Sequence, residues 1–167
     1  MKNIILISTG GTIEKTYCEL SGILNNDVSV LDIMLSRLDL LGIEIERLAL
    51  MNKDSLDMSE DDHTLIAATA IRGSHTHDGV VVVHGTDRLT TTGEKVLAME
   101  EPLGGPIVFT GAMRPYALRN TDAMQNLVEA LLAVQLCQKG VYVAMHNKVL
   151  AFPGVEKDRQ LGTFVAS

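Results

Sequence analysis

The sequence predicts an α/β fold: a doubly wound, mostly parallel sheet with helices on both faces. Three observations carry that prediction. Ile4–Ile7, Val80–Val83 and Ile107–Phe109 are short, unbroken apolar runs. They are too short for helices and lack the polar alternation of a half-wet strand, so they read as strands buried on both faces. Stretches with helical spacing separate strand-like runs from end to end, the pattern of a parallel sheet. The first two runs also lead into glycine-bearing polar loops, Thr9–Thr12 and His84–Asp87. Open α/β sheets bind ligands at the carboxyl ends of their strands, so these two loops are expected to share one rim.

Taken in order, the first strand ends at Gly10-Gly11, where glycine permits a sharp turn and a close backbone approach. Lys15–Asn26 lacks periodicity and reads as a mobile loop over the strand ends. Asp27 or Ser29 is a cap for a helix running to about Leu41, with Val30, Leu31, Met34, Leu35 and Leu38 on its apolar face and Gly42 as its stop. Ile43–Leu50 alternates as a half-buried strand, and Asn52–Met58 reads as a polar loop. Ser59-x-x-Asp62 is a capping-box start for a helix over Glu60–Arg72, which Gly73 is expected to end before a linker at Ser74–Asp78. A short helix follows over Thr90–Met99, with Thr90 or Thr91 near its cap, and Pro102–Pro106 punctuates the turn into the third apolar strand.

Gly111–Pro115 is a loop at that strand's carboxyl end, since Pro115 disfavours helix at Arg114. Asn120–Lys139 reads as the longest helix. Its apolar arc, from Met124 and Leu127 round to Leu132 and Leu136, is wider than contact with a sheet alone requires. Gly140 stops it, a strand begins at Val141, and Val149–Phe152 forms another. The tail Pro153–Ser167 reads as polar and irregular.

At 167 residues the chain is expected to form one domain over 1–167 with room for a full core. The content of 46% hydrophobic and 21% charged residues is that of an ordinary globular protein. A net charge of −7 without any Lys/Arg cluster argues against a nucleic-acid or anionic-membrane partner. Cys18 and Cys137 make neither a disulfide framework nor a zinc knuckle. No run of about 18 apolar residues predicts a membrane span, and the first apolar run is too short for a signal-peptide core. A cytoplasmic location is therefore the expectation. GxGxxG, Walker A, GxSxG and HExxH motifs are all absent, and no cofactor is expected.

Several side chains stand where chemistry is feasible. Thr12 follows a glycine turn whose N–H groups suit an oxyanion, and a threonine hydroxyl acts as a nucleophile only with such help. The plainer alternative is that Thr12 or Thr9 only hydrogen-bonds its own turn. Thr86-Asp87 pairs a hydroxyl with a carboxylate at a strand end, suited to activating water or holding an amine, yet Asp87 equally suits a helix cap. Lys157 in the tail reads as a solvated charge. His75-x-His77 beside Asp78 has the composition of a metal site, but also that of a plain linker.

Thr9-Gly10-Gly11-Thr12-Ile13 together with His84-Gly85-Thr86-Asp87 resembles the two signatures of the L-asparaginase family, of the asparaginase–glutaminase type. Asp54–Met58 looks like that family's substrate-carboxylate loop. Gly111–Pro115 with Asp122 and Asn126 looks like the segment after its fourth strand, and the stretch from Val149 to Lys157 and Thr163-Phe164 like the one bearing its catalytic lysine. The resemblance implies an asparaginase N-terminal-domain-like fold without the usual C-terminal domain, and a small-molecule substrate, L-asparagine. It implies Thr12 as nucleophile assisted by Tyr17, and a second catalytic cluster of Thr86, Asp87 and Lys157. It places Gly11, Ser55, Leu56, Thr86 and Asp87 against the substrate, with Ser55 on its α-carboxylate and Asp87 on its α-ammonium. Leu56 stands where many members carry a polar residue. A glutaminase, an amidase on a modified asparagine, and a non-catalytic amino-acid-binding sensor or subunit are the alternatives. The wide arc of the longest helix adds the expectation of a homo-oligomer, a dimer or tetramer.

Overall fold

The computed structural model describes residues 1–26 and 29–167. Strands β1 (Lys2–Gly10), β4 (Ile43–Lys53), β5 (Gly79–Val83), β6 (Pro106–Thr110), β7 (Gly140–Met145) and β8 (Lys148–Ala151) form one six-stranded sheet. Their order is β4-β1-β5-β6-β7-β8, parallel throughout except for β8, which runs antiparallel to β7. Among the described residues, four helices cover it: α1 (Leu31–Leu35), α2 (Glu60–Thr76), α3 (Leu89–Ala98) and α4 (Ala123–Leu136).

The unbroken apolar runs exist because both faces of the central strands are covered. Ile5, Ile7, Val80, Val82, Ile107 and Phe109 pack with residues of α2 and α3. Their neighbours Ile4, Leu6, Val81, Val83 and Val108 point the other way and pack with α1 and α4. Successive side chains of a strand alternate faces, so every position in these runs meets a helix layer. The fold is thus the doubly wound α/β architecture that the sequence predicts. Among the described residues, no helix is long and apolar enough to cross a membrane.

Several local expectations are corrected. α1 is one short helix, not a helix to Leu41: it starts without a side-chain cap, because Ser29 donates its hydroxyl to Glu14, and it decays into i→i+3 turns at Arg37 and Leu38. The alternative cap, Asp27, lies outside the described residues. α2 does form the capping box of Ser59 with Asp62, but it runs through Gly73 to Thr76, absorbing most of the expected linker. Gly73 stays in the helix because a Cβ there would come within 3.0 Å of Ile5, so the glycine lets α2 lie close on β1. α3 begins at Leu89 without any side-chain cap, so neither Thr90, Thr91 nor Asp87 serves as one. α4 is shorter than Asn120–Lys139 at both ends, because Asp122 is engaged with the preceding loop and Cys137 is extended.

Two stretches expected to be irregular are hairpins. Lys15–Asn26 contains β2 (Thr16–Cys18) paired with β3 (Ile23–Asn25). The tail contains β9 (Val155–Asp158) antiparallel to β10 (Thr163–Ala166), anchored through the buried Val155 and Phe164. That second hairpin turns Lys157 back toward the end of β5.

Candidate active site

β1 and β5 are parallel neighbours with Ser8 opposite Val83, so the two glycine loops leave the sheet side by side. Their glycines let them touch. A Cβ on Gly11 would lie 2.5 Å from the Gly85 Cα, and a Cβ on Gly85 would lie 2.7 Å from Ser55. Gly10 and Gly11 also hold φ of +98° and +85°, conformations that side-chain-bearing residues rarely adopt. Three loops, after β1, β4 and β5, are thereby stacked at one rim.

The two threonines of the first loop separate cleanly. Thr9 is buried and donates its hydroxyl to the Val83 carbonyl at 2.9 Å, which ties β1 to β5. Thr12 opens a 3₁₀ turn, Thr12–Glu14, and is only half-buried. Among the described residues nothing hydrogen-bonds its hydroxyl or its N–H, as expected for the first N–H of a helical turn.

Opposite lies an ion-paired cluster. The Lys157 Nζ donates to Thr86 Oγ1 at 2.9 Å and to Asp87 Oδ1 at 3.0 Å. Its side chain is 14% exposed, so the reading of Lys157 as a solvated charge is corrected: the β9–β10 hairpin folds it inward. Arg159 adds a second cation on the same Asp87 oxygen at 3.1 Å. Thr86 is buried, with its own hydroxyl turned to Met113 Sδ at 3.6 Å.

The remaining expected residues are placed as follows. Ser55 is buried and accepts the Arg88 N–H at 3.3 Å. Leu56 is exposed at the rim, its N–H bonded to Asp54. Lys15 donates to Asp54 at 2.7 Å, and that hydrogen bond is the main reason the Asp54 carboxyl is held below the ordinary carboxylate range. Beside this pair opens a polar cleft of about 570 Å³, lined in part by Leu24, Asn26, Lys53 and Asp57. Asn26 donates to the Gly11 carbonyl, so the β2–β3 hairpin is fastened to the glycine turn. Tyr17 stands on that hairpin, 64% exposed and opposite Leu24, without a hydrogen bond to Thr12. His75 and His77 face different partners, the Pro102 carbonyl and Glu46.

Three buried polar groups lie beneath the rim, of which the sequence reading named His84 and Asp122 only as members of motifs, without a role. His84, fully buried, has Nδ1 at 2.8 Å from the Gly85 carbonyl and Nε2 at 2.8 Å from Thr92 Oγ1; Thr92 in turn meets His63 Nδ1 at 2.7 Å. Burial drives the His84 pKa down to about 4 and lowers that of His63 as well. Glu14 is buried beside Ser29, and burial raises its pKa. Asp122 accepts from the Met113 and Arg114 N–H groups and from Asn126, and His146 Nε2 lies 2.7 Å away. Burial opposes the Asp122 charge, but these partners outweigh it and hold the carboxyl below its usual range. For His84 and Asp122 the signal was position next to a loop; for His63 and Thr92 nothing in the spacing marks them.

A family model described as "Asparaginase, N-terminal" matches residues 3–162. An L-asparaginase of Thermococcus kodakarensis is 31% identical over 163 residues, 95% of this chain and 48% of that protein. The solved structure of the thermostable L-asparaginase from that organism superposes with a TM-score of 0.85 at 31% identity, over 98% of this chain and 51% of the other. A glutamyl-tRNA(Gln) amidotransferase subunit from Methanococcus vannielii is also 31% identical, over 89% of this chain and 35% of that protein. The chain thus spans about half or less of the length of the curated relatives it matches.

Proposed function

The chain belongs to the asparaginase family, and on that premise we propose that it is an amidohydrolase that converts L-asparagine to L-aspartate and ammonia through a threonine acyl-enzyme. The observation that carries this reading is the Lys157–Thr86–Asp87 cluster, held across a glycine–glycine contact from the unengaged Thr12 hydroxyl. Thr12 Oγ attacks the side-chain amide carbon, and the Thr12 N–H, the orphan donor of its turn, faces the developing oxyanion. The Thr12 proton passes to the departing nitrogen with the help of Tyr17, carried on the adjoining β2–β3 hairpin. Ammonia leaves, and a water held at Thr86 attacks the ester carbon, one of its protons passing to Thr12 Oγ as the ester C–O bond breaks and aspartate is released. Lys157, donating to Thr86 Oγ1, orients that hydroxyl and places a positive charge beside the reacting centre. Asp87 receives the substrate ammonium. Gly11, Ser55 and Leu56 shape the floor and edge of the pocket, Ser55 and its turn receiving the α-carboxylate.

A second reading is favoured by the amidotransferase relative: an amide- or amino-acid-binding component of a larger assembly, with glutamine as its amide or with no turnover at all. Coupled ammonia release from asparagine and from glutamine separates the readings. Ammonia from asparagine supports the asparaginase, ammonia from glutamine alone supports the glutaminase, and binding without ammonia supports the sensor. We further propose a homo-oligomer, paired through α4. Val128, Leu132 and Leu136, one turn apart, form an exposed apolar ridge on its outer face. Apolar clefts of about 260 and 160 Å³ flank it, and antiparallel copies would seat each ridge in the other's cleft.

A further inference from the structure

We infer that Arg159 tunes the substrate preference of this site, weakening its hold on the α-ammonium of L-asparagine relative to amides that lack one, such as succinamate or N-acylated asparagine. The inference rests on the amidohydrolase reading and on Asp87 as the acceptor for a substrate cation.

That acceptor is already taken. Lys157 Nζ lies 3.0 Å and an Arg159 guanidinium nitrogen 3.1 Å from the same oxygen, Asp87 Oδ1. One carboxylate therefore carries two cations, and the group presents a net positive face to an incoming molecule. A third cation, the α-ammonium of a free amino acid, must displace Arg159 or sit beside it. A hydrogen or an acyl group at that carbon brings no such repulsion, and an acyl carbonyl finds the guanidinium as a donor.

The side chain of Arg159 is 70% exposed, and its ion pair with Asp87 runs inward from the turn. It stands at the start of the β9–β10 turn, where the Asp158 carboxylate accepts the N–H groups of Gln160 and Leu161 at 2.8 and 2.9 Å. Asp158 is thereby engaged within the turn, and Asp87 is the carboxylate that Arg159 meets. The loop after β4 and the β2–β3 hairpin add a second indication. Leu56, whose N–H bonds Asp54, and Leu24, which lines the polar cleft with Lys15 and Asp54, are both exposed and offer apolar surface to an acyl substituent. Arg159 acts on the substrate through Asp87 and is a positioning residue.

A charge series at one position tests this. Wild type, Arg159→Lys, Arg159→Gln and Arg159→Glu are compared for kcat/KM on L-asparagine and on succinamate, and for binding of the products L-aspartate and succinate by titration. An exposed ion pair is worth a factor of up to about five. The preference for the ammonium-bearing compound should therefore rise about five-fold from Arg to Gln and further to Glu, carried by KM, while Arg159→Lys behaves as wild type. A flat ratio across the series overturns the inference and leaves the amidohydrolase reading standing. A trend in product binding without ammonia from either amide sinks that reading and overturns the substrate preference with it, leaving Arg159 as a determinant of ligand charge alone. If neither turnover nor binding is seen, both fall.

Discussion

Acidification should destabilise this fold through His84, and the structure gives the size of the effect. The Gly85 carbonyl only accepts, so His84 Nδ1 carries the proton. His84 Nε2 then accepts from the Thr92 hydroxyl, and Thr92 Oγ1 accepts from His63 Nδ1–H. That chain leaves His63 Nε2 bare and buried, without a partner among the described residues. The Thr92–His84 bond in this chain holds only while His84 is neutral, since a protonated Nε2 can no longer accept from the Thr92 hydroxyl. Burial lowers the His84 pKa from 6.5 to about 4. Between these values the unfolded chain binds the proton and the folded one does not. The stabilising contribution is therefore complete above about pH 6.5 and is lost as pH falls toward 4. At 1.36 kcal/mol per pKa unit, the interval from 6.5 to about 4 is on the order of 3 kcal/mol, a large part of the roughly 5–15 kcal/mol that holds a typical domain together. Glu14, with its raised pKa, works in the opposite sense: its contribution is present below the ordinary glutamate value and fades as pH rises. The clean measurement is therefore a difference. Urea unfolding of wild type and His84→Asn at pH 7, 5.5 and 4.5 should show a stability gap that narrows by about 2–3 kcal/mol toward acid, because the asparagine keeps a donor for Gly85 but has no proton to gain. A gap independent of pH would refute the argument.

The remaining expectations are more direct. Thr12→Ala should leave the thermal midpoint unchanged and lower ammonia release by several orders of magnitude; near-normal turnover would remove Thr12 as nucleophile. Lys157→Met should impair both acylation and deacylation, visible in burst and steady-state rates, and a wild-type rate would return Lys157 to a surface role. Gly85→Ala places a Cβ 2.7 Å from Ser55, so it should cost about 1–3 kcal/mol in denaturant unfolding and abolish turnover; full activity would show that the three-loop stack is not what aligns the site. Leu132→Glu, at a position 56% exposed, should leave stability intact and convert a sedimenting dimer to monomer, and an unchanged sedimentation coefficient would rule out the α4 interface.

How legible all this was depends on the range of the interactions. The central strands were plain because burial on both faces leaves no polar position to interrupt Ile4–Ile7 or Val80–Val83. The capping box of α2 was plain because donor and acceptor lie three residues apart. Thr9 and Thr12 were indistinguishable by sequence, since what separates them is the Val83 carbonyl, 74 residues away. Gly73 misled for a related reason. A glycine at a helix end and one that admits a neighbouring strand look alike until Ile5 is seen against it.

Lys157 is the sharpest case, and it bears on how the site was built. Local composition makes residues 153–167 a polar tail, because β9 and β10 bury few side chains between them. Yet the hairpin is anchored by Phe164, which packs into the same apolar layer as Phe109 and Phe152. The cross-strand pair Lys157–Phe164 therefore couples a core residue to the lysine opposite it. Truncating Phe164 would cost the several kcal/mol of a lost core aromatic, and with it the position of Lys157 on Thr86. Placement of the cation is thus a consequence of core packing beneath the hairpin. The charge on Arg159, two residues further into an exposed turn, is free to vary without disturbing either.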